Sequence, residues 1–246
     1  MTERMGGQGN NGRTLARVVR LVNAVGLELL VGLLALTAGA WIFGTVAEEL
    51  VEGNTQADTR VAAWLHEHAT PGWTTLFENV TRLGNLVTLI GVVLVAAILL
   101  WRRKRVAELQ LLLLAAVGAE VITVGLKLGF ERQRPFFADP LATESTYSFP
   151  SGHASVSLAV YGTLGYIAAR QLGTRRAQIG ALVAAVLVVL LIGFSRLYLG
   201  VHFLTDVIAG FSVGLAWVAL CVVLLHLRLR LLARDQTSRY RASTKQ

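Results

Sequence analysis

The chain has 246 residues, 54% of them hydrophobic and only 15% charged, with a mean hydropathy of +0.58. A soluble domain carries about a quarter charged residues, so the composition excludes an ordinary soluble enzyme and fits about six membrane spans of roughly 20 residues each. The net charge of +8 sits in short basic clusters between apolar runs, the pattern of membrane orientation rather than of nucleic-acid binding.

In chain order, residues 1–20 are polar and Gly-rich, with Arg4, Arg13, Arg17 and Arg20, and are expected to form a disordered cytoplasmic tail. Residues 21–47 form the first apolar run. It is too long for a signal-peptide core and reads as a retained span. Residues 48–82 are more polar. They open with Glu48, Glu49, Glu52 and Asp58, and then carry apolar residues at helical spacing around Trp64 and Trp73. Two readings stand open: an amphipathic interfacial helix, or a loop helix packed on the protein. His66 and His68 lie here without a third ligand, which favours solvated side chains over a metal site. Further spans are expected at about 85–101, 111–130, 152–169, 179–199 and 202–225, with a basic tail over 229–246. Cys221 is alone in an apolar run and builds neither a disulfide nor a thiolate site.

The expected fold is therefore all-α: a six-helix membrane bundle over residues 21–228 with both termini cytoplasmic. Most of the 23 basic residues then fall inside, including Arg102, Arg103, Lys104 and Arg105 and the C-terminal tail. On the outer side remain Arg60, Arg82, Lys127, Arg132, Arg134 and Arg196. Three of these belong to a larger constellation. Lys127 ends span three and is followed by Arg134-Pro135. Pro150-Ser151-Gly152-His153 opens span four, Ser195-Arg196 closes span five, and His202 and Asp206 open span six. All of these ends share one face of the membrane.

Residue type indicates the chemistry. Three clustered cations need an anion, and phosphate suits the planar fork of Arg. Ser151 stands where a helix cap belongs, and Gly152 lets a phosphoryl group approach the backbone. His202 and Asp206 are four residues apart, on one helical face, so the carboxylate can fix the imidazole tautomer. His153 is then free to act as a general acid. Glu28 and Glu120 are intramembrane carboxylates. Each reads either as support for a site or as an interhelical hydrogen bond.

Lys127-x6-Arg134-Pro135, Pro150-Ser151-Gly152-His153 and Ser195-Arg196-x5-His202-x3-Asp206 together resemble the three-part signature of the type 2 phosphatidic acid phosphatase family. The vanadium haloperoxidases and bacterial acid phosphatases share that superfamily. The resemblance implies an integral membrane lipid phosphatase acting on a phosphate monoester or pyrophosphate, without metal or other cofactor. It implies His202 as nucleophile, Asp206 as its holder, and His153 as acid and then base. Lys127, Arg134, Ser151, Gly152 and Arg196 would bind the phosphoryl oxygens. Gln133 and Leu204 stand where many members have Pro, at positions that vary. The implied substrates are phosphatidylglycerol phosphate, undecaprenyl pyrophosphate, phosphatidic acid or a similar lipid, with the site at the extracytoplasmic face of the cell membrane. A lipid phosphotransferase remains the alternative activity, and a non-catalytic transporter or structural protein the alternative class.

Overall fold

A computed structural model describes residues 8–243, and among them it is all helix and loop, with no strand. Runs of Leu, Val and Ala form α1 (Gln8–Val51), α4 (Leu86–Arg102), α5 (Val106–Phe130), α8 (Arg175–Tyr198) and α9 (Leu204–Ser243). Shorter, more polar helices are α2 (Gln56–Glu67), α3 (Pro71–Arg82), α6 (Gly152–Ser157) and α7 (Thr163–Gln171). Local chemistry sets several boundaries. The Asn85 side chain accepts from the Thr88 N–H at 2.8 Å and caps α4, Thr174 does the same for α8, and Pro71 occupies the first turn of α3. Glu131 ends α5 in the left-handed conformation (φ 48°), its N–H donating to the Lys127 carbonyl at 3.0 Å.

Four stretches are long and apolar enough to cross a membrane: Gly26–Val51, Val106–Phe130, Arg175–Tyr198 and Leu204–Arg228. α3 and α4, bent by 45° where they meet, make a fifth when taken as one broken span. The protein is thus a multi-pass membrane protein of helical architecture. Leu34, Val87, Leu94 and Val117 lie exposed on the outside of the bundle, where lipid tails cover them.

α6 continues through a π turn (Leu158–Gly162) into α7. This central helix is lined with Ala, Ser and Gly, and α5, α8 and α9 surround it. Gly210 and Gly214, one helical turn apart on α9, let that helix lie against it: a Cβ on Gly210 would fall 2.5 Å from the Ser151 carbonyl oxygen, and one on Gly214 would fall 2.6 Å from that of Ser155.

Two sequence expectations change, and one open choice is decided. Residues 8–20 and 229–243, expected as tails, lie in α1 and α9 as extensions of the adjacent apolar helices; residues 1–7 and 244–246 fall outside the described part. His202 precedes α9 instead of lying within it. Segment 48–82 forms two helices packed on the protein, with Asp58, Ala62, Leu65 and Phe77 buried.

Candidate active site

The loop between α5 and α6 folds back over the ends of α8 and α9. Ser148 pins it, donating from its N–H to the Arg132 carbonyl at 2.8 Å and from its hydroxyl to the Gln133 carbonyl at 3.0 Å. Gly200, at φ +68°, turns the chain between α8 and His202. The Ser151 N–H donates to the Asp206 carbonyl at 2.9 Å, joining the starts of α6 and α9.

These turns bring all eight expected residues into one region. Lys127, Arg134, Gly152, His153, Arg196 and His202 line one cavity of about 130 Å³. Asp206 and Ser151 sit behind its wall, fully buried. His202 Nδ1 faces Asp206 Oδ2 at 3.3 Å, and its Nε2 faces an Arg134 guanidinium nitrogen at 3.1 Å. A guanidinium can only donate, so Nε2 carries the lone pair and Nδ1 the proton. Burial, then the charges of Arg134, Arg196 and Lys127, holds the imidazole pKa well below its ordinary value. The ring is therefore neutral, with its lone pair aimed at the cations.

The cations are held from outside. Arg134 donates to the Val201 carbonyl at 2.6 Å and to the Thr146 carbonyl at 2.7 Å, and Lys127 donates to the Tyr147 carbonyl. Arg196 donates to Thr81 Oγ1 at 2.7 Å and forms an ion pair with Glu144. Two unit charges about 5 Å apart repel by roughly 3 kcal/mol at an intermediate dielectric, so an anion among these three is needed, and the Glu144 carboxylate supplies it. Ser151 stands at the N-cap of α6 but makes no capping bond; its buried hydroxyl has no partner among the described residues. A Cβ on Gly152 would meet only Thr123 and Lys127, at 3.8 and 3.9 Å. Packing does not demand glycine there, and its lack of a side chain leaves space beside Lys127.

The sequence reading missed four contributors. Glu144 and Thr81 lie outside any motif. Gly84 touches His153: a Cβ there would fall 3.0 Å from the imidazole Cδ2. Arg132, within the Lys127-x6-Arg134 spacing, donates to Asp206 Oδ1 at 2.5 Å and to Asp58 at 2.6 Å. Its only sequence signal was a basic residue close to the motif.

The other candidates resolve differently. His66 bonds Asp139 at 3.0 Å and stacks on Phe137, whereas His68 bonds the Trp64 carbonyl and stacks on Trp64. No group of three or more His, Cys, Asp or Glu able to hold a metal occurs among the described residues. Glu28 pairs with Arg170 at 2.8 Å and with His226, tying α1, α7 and α9 together away from the site. Glu120 borders the site cavity and also a second, wholly apolar groove of about 250 Å³ between α4 and α5.

Residues 108–230 match the PAP2 superfamily, half of the chain and all eight of the expected site residues. The chain belongs to the PAP2 superfamily. The phosphatase is 35% identical over 154 residues to phosphatidylglycerophosphatase B of Bacillus subtilis (strain 168), covering 62% of this chain and 71% of that one. Its fold is similar to a crystal structure described as the first transmembrane PAP2-type phosphatidylglycerolphosphate phosphatase from Bacillus subtilis. The TM-score is 0.70 and the identity 29%, over 76% of this chain and 93% of that chain. LpxE of Aquifex aeolicus shares the fold at TM-score 0.53 and 24% identity, over 68% and 93% of the two chains. The protein is a PAP2-type membrane lipid phosphatase, of a family whose phosphomonoesterase chemistry is metal-independent.

Proposed function

We propose that the phosphatase hydrolyses the terminal phosphate of phosphatidylglycerophosphate through a phosphohistidine on His202. The observation that carries the mechanism is the orientation of His202, with Nδ1 on Asp206 and Nε2 on the Arg134 guanidinium. In this reading Nε2 attacks phosphorus, the N–P bond forms, and the P–O bond to the lipid breaks. His153 gives its proton to the departing alkoxide, and the lipid alcohol leaves. A phosphate dianion among the cations supplies the negative charge that lets His153 hold that proton beforehand. Water then attacks the phosphohistidine, His153 takes its proton, the N–P bond breaks and inorganic phosphate is freed. Asp206 supports the imidazolium character of His202 in both steps. Lys127, Arg134, Ser151, Gly152 and Arg196 bind the equatorial oxygens, where charge develops. Glu144 must leave Arg196 before the phosphate can take its place.

The head group comes from the Bacillus subtilis relative, and the lipid character of the substrate has a local support. The apolar groove between α4 and α5 shares Leu86, Leu89, Glu120 and Val156 with the site cavity. An acyl chain lying there would put its head among the cations while its tail stayed in the bilayer.

Six spans and an outward-facing site complete the reading. The sixth span is the continuous helix 152–171, whose small residues suit a position among other helices. The basic turn at Arg102–Arg105 and the basic C-terminal stretch favour the cytoplasm, which leaves His202 at the extracytoplasmic face.

The test uses purified protein with 32P-labelled phosphatidylglycerophosphate, in the presence of EDTA. The expected result is free phosphate, an acid-labile phosphoenzyme on rapid quench, and neither with His202→Ala. A labelled lipid product would indicate transfer to another acceptor, and full activity in His202→Ala would refute the mechanism. Impermeant labelling of a single cysteine introduced in the 136–146 loop tests the orientation; reaction only from the cytoplasmic side would reverse it.

A further inference from the structure

Asp58 and Arg132 have no part in the chemistry proposed above, yet both are buried behind the site, with side chains 2% and 8% exposed. Asp58 comes from α2. Its carboxylate accepts from the Thr205 N–H at 3.0 Å, contacts the Thr205 hydroxyl, and pairs with Arg132 at 2.6 Å. Arg132 in turn donates to Thr205 Oγ1 at 2.7 Å and to Asp206 Oδ1 at 2.5 Å, with its guanidinium 4.3 Å from the centre of the Phe203 ring.

We propose that Asp58 and Arg132 are a positioning pair that fixes both the orientation and the net charge of Asp206 opposite His202. Orientation comes first. Arg132 occupies Asp206 Oδ1, and the Phe203 N–H at 2.8 Å occupies Oδ2 on one side. The carboxylate cannot rotate, and the free side of Oδ2 faces His202 Nδ1. Charge is the second effect. Arg132 alone would cancel the charge on Asp206 and weaken its support of a developing imidazolium. Asp58 adds a second negative charge behind the guanidinium, so the group of three presents a net charge of −1 to His202, as a lone aspartate would. The arrangement combines the rigidity of an arginine bridging two carboxylates with the charge of a free carboxylate.

The proposal rests on His202 being the nucleophile, and the two fail separately: activity in His202→Ala refutes that reading whatever Asp58 does. The test is Asp58→Asn, which keeps the shape and removes the charge. Where removing the orienter of a catalytic histidine costs about 10⁴-fold in kcat, loosening it should cost a part of that, roughly 10- to 100-fold. The rate of phosphoenzyme formation should fall by the same factor. The inhibition constant of inorganic phosphate, which reads Lys127, Arg134 and Arg196, should stay within about twofold of the wild type. Thr205→Val is the second variant, since it removes one hydroxyl from the pair and leaves every charge in place. It should lower kcat several-fold, again with unchanged phosphate inhibition, and it decides the matter if Asp58→Asn does not fold. Wild-type kcat in a folded Asp58→Asn or, failing that, in Thr205→Val overturns the proposal. So does a parallel loss of phosphate binding and kcat, which would mark a merely structural staple between α2 and α9.

Discussion

At the scale of single residues, the site is governed by who carries a proton and who carries a charge. Arg134 cannot give up its donors, and that fact alone assigns the lone pair of His202 to Nε2. Burial and the three cations keep this ring neutral as pH falls through the ordinary histidine pKa near 6.5, where a free imidazole would protonate. A depressed pKa moves the loss of the nucleophile to lower pH. ¹⁵N-histidine NMR should therefore find His202 as the neutral Nδ1–H tautomer at about pH 6; an imidazolium signal there would contradict the assignment. Glu144 acts in the opposite sense, as the anion paired with Arg196, which a phosphate bound as proposed would displace. Glu144→Gln should strengthen inhibition by inorganic phosphate several-fold, measured with any hydrolysed substrate. Weaker inhibition would show that the carboxylate helps to build the cradle.

At the scale of elements, the histidines depend on how closely helices approach. His202 lies in a turn and His153 on the first turn of α6, and the two meet because Gly210 and Gly214 let α9 lie against the central helix. Gly84, in the bend between α3 and α4, sets the other wall. A Cβ there would fall 2.5 Å from Ile192 Cγ2, closer than real contacts allow, and 3.0 Å from both His153 Cδ2 and Ser157 Oγ, so that each would have to give way by a few tenths of an ångström. Gly84→Ala should push His153 away from the leaving group. We expect kcat to fall at least tenfold, as proton transfer by a positioned group is worth about 10²–10⁴-fold, with phosphate inhibition retained. An unchanged kcat would mean that Ile192 gives way and the imidazole does not. The change of direction comes at Leu83–Asn85, behind the Asn85 cap, where the sequence divided segment 48–82 from the span at 85–101.

At the scale of the whole molecule, the cavity that holds the cations shares Leu86, Leu89, Glu120 and Val156 with the groove between α4 and α5, whose other walls are apolar. Val121 lines the groove at an exposed position away from every phosphate contact. Val121→Trp should raise KM for a long-chain lipid phosphate by roughly tenfold, through overfilling of the groove. Hydrolysis of p-nitrophenyl phosphate should be unaffected. An equal effect on both substrates would show that the groove does not carry the tail. The far end of the molecule is held by another polar group, Glu28 with Arg170 and His226, which joins three helices where water is close.

Much of this was legible in the sequence because it depends on local order. Helices follow from continuous apolar runs whose backbone has no other way to satisfy its polar groups in lipid. The cations, histidines and aspartate of the site follow from fixed spacing around helix ends, and their types state the phosphate chemistry. The tertiary structure alone decided the rest, for one physical reason: charge compensation inside a protein is made by whichever group folding brings near, at any distance along the chain. Asp58 reaches Arg132 and Thr205 from α2, and Glu144 reaches Arg196 from the loop before α6. The same holds for His202, which sequence put on a helix and the fold puts in a turn, where the Asp206 carboxylate accepts from the Phe203 N–H and meets the ring from the first turn of α9.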